Sequence, residues 1–290
     1  MPIRSSGTAT PLFLVHPVGG GIIAFHDLAK YLRAEHPVYA LQNLDSGNDV
    51  EQEPLSIEKM AGRYIKAIQT VSPQGPYFLG GSSMGGAVAF EMAVQLKAQN
   101  QPVSLVAMLD TPAKVISHIE RETRHSVHAI ELTMFTSSIL SGSQTNFHIN
   151  LADLDPLQPA EQIDFVFRRL QQHQLVPVTL SSSEFEIALR AFANNLNAFE
   201  RYMPPAYDGR VAILRARDTS ANLKQYVGDL DRDLTFGWQA HCTQPVTVRF
   251  VPGDHMLMNL EPNVRFTAAE LQRVLDEGLS VLEGLSLEGH

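Results

Sequence analysis

Three side chains far apart in the chain have the types, order and settings that nucleophilic acyl chemistry needs. Ser83 lies in the stretch Gly80 to Gly86 (GGSSMGG), where only Gly81, Ser83 and Gly85 read Gly-x-Ser-x-Gly, so Ser83 and not Ser82 is the expected nucleophile. A serine hydroxyl attacks only if a base takes its proton. The base in turn needs an acid that fixes its tautomer and stabilises the imidazolium. Of the eleven histidines, His255 follows the last apolar strand run in a Gly-Asp-His loop, where an imidazole can reach back over a sheet edge. Two aspartates end apolar runs, Asp110 and Asp218, and either fits the chain order Ser, Asp, His. Asp254, next to His255, is expected to cap its loop, because adjacent side chains in an extended segment diverge.

The elements around these residues explain how they would be positioned. Tyr77 to Leu79 reads as a buried strand and Ala87 to Ala98 as a helix, so Ser83 sits at a strand-to-helix turn. A turn this tight needs nearly side-chain-free neighbours, and the helix behind it points unpaired backbone N–H groups at whatever the serine attacks. Pro11 to His16 is a strand leading into the glycine-rich turn His16 to Gly21 and a helix over Ile22 to Arg33. Pro37 to Leu41 is a strand, Ser56 to Val71 a helix with Ser56 as N-cap, and Pro102 to Leu109 a strand ending at Asp110. Arg210 to Ala216 and Pro245 to Val251 are further strands, and Asn263 to Leu282 is a closing helix. Continuous apolar strand runs alternating with helices predict an α/β fold with a doubly wound, mainly parallel sheet. Functional residues of such a sheet gather at the carboxyl ends of its strands. Met1 to Thr10 is polar and patternless and reads as a linker or as the cut end of a longer polypeptide.

From Thr111 to about Ala206 the alternation stops. Helical pieces over Val127 to Leu140, Ala160 to Leu175 and Ser183 to Met203 flank a polar segment, Ser141 to Pro159. A crossover between parallel strands needs one helix, so this stretch is an insertion at the active-site edge. The expected division is a core of residues 1–111 and 206–290 and a helical lid of residues 112–205. Phe135, Phe147, Phe165, Phe167, Phe185, Phe192 and Phe199 are expected mostly to pack the lid, with a minority lining a substrate channel.

Composition narrows the function classes. At 290 residues and 44% hydrophobic content the chain can bury one large α/β core. A net charge of −9 without any Lys/Arg run argues against nucleic acid. The single cysteine, Cys242, excludes an intramolecular disulfide, fits a reducing cytosol and lacks an elbow of its own, so it reads as a bystander. With no signal peptide and no apolar run of spanning length, a cytoplasmic protein without a membrane partner is expected. His125 and His128 can share a helix face, but no third ligand has matching spacing, so no metal is expected.

Taken together, His16-Pro-Val-Gly-Gly with Phe25-x-x-Leu28, Tyr77 to Gly86, Leu109-Asp-Thr-Pro112 and Gly253-Asp-His255 resemble the thioesterase family of the α/β-hydrolase fold. The likeness is strongest to the terminal (type I) thioesterase domains of non-ribosomal peptide and polyketide synthases, and it spans nearly the whole chain except the insertion. The resemblance implies Asp110 as the acid, with Asp218 in reserve. It also implies an oxyanion hole of the backbone N–H groups of Val18 and Met84. The implied substrate is an acyl or peptidyl thioester on the phosphopantetheine of a carrier protein, released by hydrolysis or cyclisation with no cofactor consumed. Carrier domains are generally acidic, so docking on this acidic chain needs a local basic patch, for which Arg121, Arg124, Arg168 and Arg169 are available. The alternatives are a small-molecule carboxylesterase or lipase, a stand-alone type II editing thioesterase, or a hydrolase-like scaffold that only binds ligand. The long insertion and the strand-end position of Asp110 favour the terminal kind.

Overall fold

Four strands at the centre of the sheet, β2 (Leu12–Val15), β4 (Tyr77–Ser82), β5 (Val103–Leu109) and β6 (Val211–Ala216), are buried along almost their whole length because both faces of the sheet are covered. They belong to a computed structural model that describes residues 1–43, 55–115, 126–140, 147–219, 224 and 227–287. With β1 (Pro2–Arg4), β3 (Val38–Leu41) and β7 (Thr247–Val251) they form one seven-stranded sheet in the order β1-β3-β2-β4-β5-β6-β7. Every pairing is parallel except that of β1 with β3. Helices α2 (Ile57–Gln69) and α3 (Met84–Ala98) cover one face. Helix α1 (Ala24–Tyr31) and the C-terminal helix α8 (Val264–Leu287) cover the other. This is the doubly wound, mainly parallel α/β sheet expected from the sequence, the α/β-hydrolase arrangement.

Residues Met1 to Thr10 are not all linker. Pro2–Arg4 adds an antiparallel edge strand, and the Arg4 guanidinium donates to the carbonyls of Ala29, Leu32, Arg33 and His36, in and beyond the last turn of α1. A cation there satisfies carbonyls that the helix leaves unpaired. Three residues are too few to show a period, which is why the strand was not legible.

The chain crosses from β2 to β3 on one side and then to β4 on the other, so the strand order reverses between β2 and β4. That reversal opens a crevice at the carboxyl ends of the two strands, where Val15 pairs with Gly81. Helix α3 presses into the same place. A Cβ on Gly85 would stand 2.2 Å from the Val15 carbonyl oxygen, and one on Gly81 would stand 2.2 Å from the carbonyl of Gly85. Both positions need glycine for close backbone approach.

The loop after β2 is pinned from below. His16 is fully buried, its Nδ1–H donates to the Pro17 carbonyl at 2.7 Å, and its Nε2 accepts from the Tyr64 hydroxyl at 2.7 Å. Burial holds this imidazole neutral, with its pKa down to about 4. The same Pro17 carbonyl accepts the Gly20 N–H at 2.9 Å.

Between β5 and β6 lie α4 (Val127–Ile139), the single turn α5 (Leu151–Leu154), α6 (Pro159–Gln172) and α7 (Ser182–Arg201). Helices α6 and α7 each open on a capping box, Gln158 with Glu161 and Ser181 with Glu184. Their apolar faces close on each other in a cluster separate from those on the two faces of the sheet, and Val18 of the β2 loop packs against it.

Two outcomes follow. Gly85→Ala destabilises the fold by about 3 kcal/mol, the upper end of what overpacking a filled interior costs, as measured by urea unfolding. His16 titrates at 6.5 when unfolded and at about 4 when folded, so within that window the unfolded chain holds the extra proton and stability falls as pH falls. Above the window His16 contributes no slope, and below it the loss levels off. Relative to a His16→Gln variant, the wild type loses about 3 kcal/mol of unfolding free energy across the window.

Candidate active site

Ser83 caps the N-terminus of α3 with φ 54° and ψ −126°, a backbone setting disfavoured for any residue with a side chain. The segment at the end of β5 holds it there. The Ser83 N–H donates to the Leu109 carbonyl at 2.9 Å, and the Thr111 hydroxyl donates to the Ser83 carbonyl at 2.8 Å. Thr111 is itself held by the indole N–H of the fully buried Trp238, which donates to its carbonyl at 2.8 Å. Ser82 is turned elsewhere, its hydroxyl accepting from Asn259 Nδ2 at 3.2 Å.

Asp110 follows directly on β5 and is 1% exposed. One carboxylate oxygen accepts the Ala216 N–H at 3.0 Å, which locks the side chain to the end of β6. The other lies 2.9 Å from His255 Nδ1. An ionised carboxylate only accepts, so His255 carries its proton on Nδ1, and the bare Nε2 faces the Ser83 hydroxyl at 3.1 Å. The structure therefore brings Ser83, His255 and Asp110 into one line of hydrogen bonds. Asp218 is exposed on the loop after β6, its amide donating to the Gly253 carbonyl. Asp254 caps the histidine loop as expected, accepting the N–H groups of Met256 and Leu257 at 3.0 Å each.

Arg215 was not anticipated as part of this site. It is buried in β6 with its Nε 3.8 Å from Asp110, another nitrogen 3.5 Å from Asp231, a hydrogen bond of 2.7 Å to the Asp233 carbonyl, and its guanidinium 3.5 Å over the Phe236 ring. It balances the charge of a carboxylate removed from water. The signal was present: a charged residue inside an apolar strand run requires a buried partner. Asn195 was also missed. It is buried on α7, and its Nδ2 donates to the Val18 carbonyl at 2.8 Å.

Two cavities meet at Ser83 and His255, and Val18 borders both. One, of about 400 Å³, runs past Gly19, Ile22, Ile23, Phe135 and Leu260. The other, of about 380 Å³, runs past Pro112, Met134, Phe192, Leu196 and Phe199. Of the seven phenylalanines, Phe135, Phe192 and Phe199 thus border a cavity. Phe167 and Phe185 pack at a tilt inside the helical cluster, 5.2 Å between ring centres, and Phe147 and Phe165 flank the Arg169 guanidinium. Met84, the buried first residue of α3, follows Ser83 directly.

Of the basic residues considered for docking, Arg168 pairs with Asp164 on its own helix and Arg169 lies over those two rings. Arg121, Arg124 and His125 lie outside the described residues. Cys242 is buried, and burial pushes its thiol up to about 11. Among the described residues no helix is long and apolar enough to cross a membrane.

Known proteins similar to this chain include peptide synthases and a thioesterase domain. The chain is 28% identical over 282 residues to chondramide synthase of Chondromyces crocatus, which covers 96% of this chain and 7% of that protein. It is 44% identical over 110 residues to a dimodular nonribosomal peptide synthase of Bacillus subtilis (strain 168), covering 38% of this chain and 5% of the other. The matched segments thus cover less than a tenth of the length of either relative. Among solved structures it superposes on a four-domain nonribosomal peptide synthetase bound to AMP and glycine with a TM-score of 0.82 at 26% identity, over 94% of this chain and 20% of that one. It also superposes on the NocB thioesterase domain in covalent complex with a fluorophosphonate nocardicin G analogue, with a TM-score of 0.60 at 25% identity, over 93% of this chain and 96% of that one. The Thioesterase domain family model matches residues 10–270, and the chain belongs to that family.

Proposed function

We propose that this domain releases an acyl or peptidyl chain from the phosphopantetheine thioester of a carrier protein through an acyl-enzyme on Ser83. The observation that carries the reading is the line of hydrogen bonds from Ser83 through His255 to a buried Asp110. His255 Nε2 takes the hydroxyl proton as Ser83 Oγ bonds to the thioester carbon. The tetrahedral intermediate collapses with loss of the carbon–sulfur bond, and the thiolate leaves with the proton from His255. Water, or a nucleophile within the chain, then attacks the ester carbon while giving its proton to His255; the second tetrahedral intermediate breaks its carbon–Oγ bond, and His255 returns the proton to Ser83 Oγ. Asp110 holds the imidazole in the required tautomer throughout. In this reading the backbone N–H groups of Val18 and Met84 receive the oxyanion, since one follows the nucleophile at a helix start and the other borders both cavities beside it.

Helices α4 to α7, within residues 112–205, act as a lid over a hydrolase core of residues 1–111 and 206–290. Their separate apolar cluster and the two cavities below them support that division. The two cavities suit a substrate with an acyl part on one side of the scissile bond and a pantetheine arm on the other. Similarity to peptide synthases supports a carrier protein as the partner.

A fluorophosphonate probe is expected to label Ser83 in the wild type and not in Ser83→Ala. Asp110→Asn lowers kcat by about 10³- to 10⁴-fold, the scale seen when a triad acid is lost, whereas Asp218→Asn stays within about twofold. Acyl transfer from a loaded carrier in preference to simple oxygen esters is the expected specificity. Indifference to the carrier assigns the site to small-molecule esters, and turnover by Ser83→Ala removes the acyl-enzyme.

A further inference from the structure

Val18 lies in the turn that the Gly20 N–H closes on the Pro17 carbonyl, and the proposed role of its N–H demands a fixed direction, so what orients the peptide matters. The Val18 N–H shares a planar unit with the Pro17 carbonyl, and in a trans peptide the two point in opposite directions. His16 Nδ1 and the Gly20 N–H both hold that carbonyl, at 2.7 and 2.9 Å. Two bonds at one oxygen fix where it lies but leave the unit free to rock about it. The next peptide supplies the missing constraint through its own carbonyl, that of Val18, and its donor is Asn195 Nδ2 at 2.8 Å.

Asn195 is suited to this. It is 3% exposed and sits on α7, surrounded by the apolar stripe of Phe192, Leu196 and Phe199, with its Oδ1 accepting from Asn43 Nδ2 at 3.4 Å. A buried amide on an apolar helix face is costly unless its polar atoms are matched, and both of its side-chain polar atoms are matched here. The two contacts tie three segments together: the loop after β2, the residues after β3, and α7. The first two belong to the sheet, while α7 belongs to the helical segment between β5 and β6.

We infer that Asn195 is a positioning residue that aims the Val18 N–H, and that it makes oxyanion stabilisation depend on α7 being seated against the β2 loop. If α7 lifts, the Val18–Gly19 peptide loses its anchor while Ser83, His255 and Asp110 keep theirs, because none of these three is held by α7. Acyl transfer is then slow until the helix reseats. This inference rests on the proposed function, since it assigns a support to that reaction's oxyanion site.

The test compares the wild type with Asn195→Leu and Asn195→Ala, each checked for folding by thermal melting so that one can be read if the other is unstable. The substrate is an acyl thioester of N-acetylcysteamine, which needs no carrier. A boronic acid serves as a tetrahedral adduct of Ser83, and the product carboxylate as a planar ligand. In the variants kcat is expected to fall about 10- to 100-fold while KM stays within about twofold, the pattern of an interaction made only in the transition state. Boronate affinity falls with kcat, and carboxylate affinity does not. Wild-type kcat and boronate affinity in both variants overturn the proposal, as does a loss in which KM and carboxylate affinity move together with kcat. Failure of a fluorophosphonate to label wild-type Ser83 removes the functional reading itself. Normal labelling with unaltered variants removes only the role of Asn195.

Discussion

The backbone of Ser83 is the constraint on which the rest of the site depends. A residue with a side chain held at φ 54° costs of order 1–3 kcal/mol and persists only where its surroundings over-determine it. Here the surroundings are a single short segment. Leu109 accepts the Ser83 N–H, Thr111 donates to the Ser83 carbonyl, and Asp110 lies between them. The parallel pairing of Ser82 with Leu109 sets the register of all three contacts. The residues proposed as nucleophile and acid are therefore not two independent placements. A slip of β5 against β4 would unseat both, and close packing at Gly81 and Gly85 keeps α3 from drifting away from the strained turn.

Electrostatics adds a second layer. Asp110 is nearly inaccessible, and a carboxylate in that position needs compensation. It receives the Ala216 N–H, His255 and, at longer range, the guanidinium of Arg215. Arg215 shares its charge with Asp231 and lies against Phe236, so it balances Asp110 without competing for the oxygen that faces the imidazole. His255 is more accessible than Asp110, with 16% against 1% side-chain exposure, which suits the proton transfers proposed for it.

Much of this was legible in the sequence for physical reasons. The elbow has a strict glycine requirement, and strands covered on both faces must be continuous apolar runs. The choice between Asp110 and Asp218 was not legible from the residues alone. β5 and β6 are neighbours, so two aspartates following their ends reach the same edge, and only the resemblance to a known family separated them. Asn195 was missed because its partners lie over a hundred residues away, and no local pattern encodes a pairing of that kind. Arg215 stood out as a charge inside an apolar run, but nothing nearby in sequence tied it to Asp110. The edge strand Pro2–Arg4 escaped because it is short and gains its place from Arg4, not from periodicity. The three longer helices between β5 and β6 were readable from spacing, whereas the single turn α5, inside the stretch read as a polar segment, was not. Nor was the division of the insertion's phenylalanines between cavity wall and packing, since both roles call for the same residue type.

Trp238 gives this arrangement an optical consequence. It is the chain's sole tryptophan, fully buried, packed on Phe90 of α3 at 4.6 Å and bonded to the carbonyl of Thr111. Ultraviolet-excited emission from the indole therefore samples one locality, the junction that supports the strained serine. Loosening of that junction by a ligand or a substitution shifts the colour and lifetime of the emitted light while the sheet stays whole, so the molecule carries its own dye at the place where rigidity matters most.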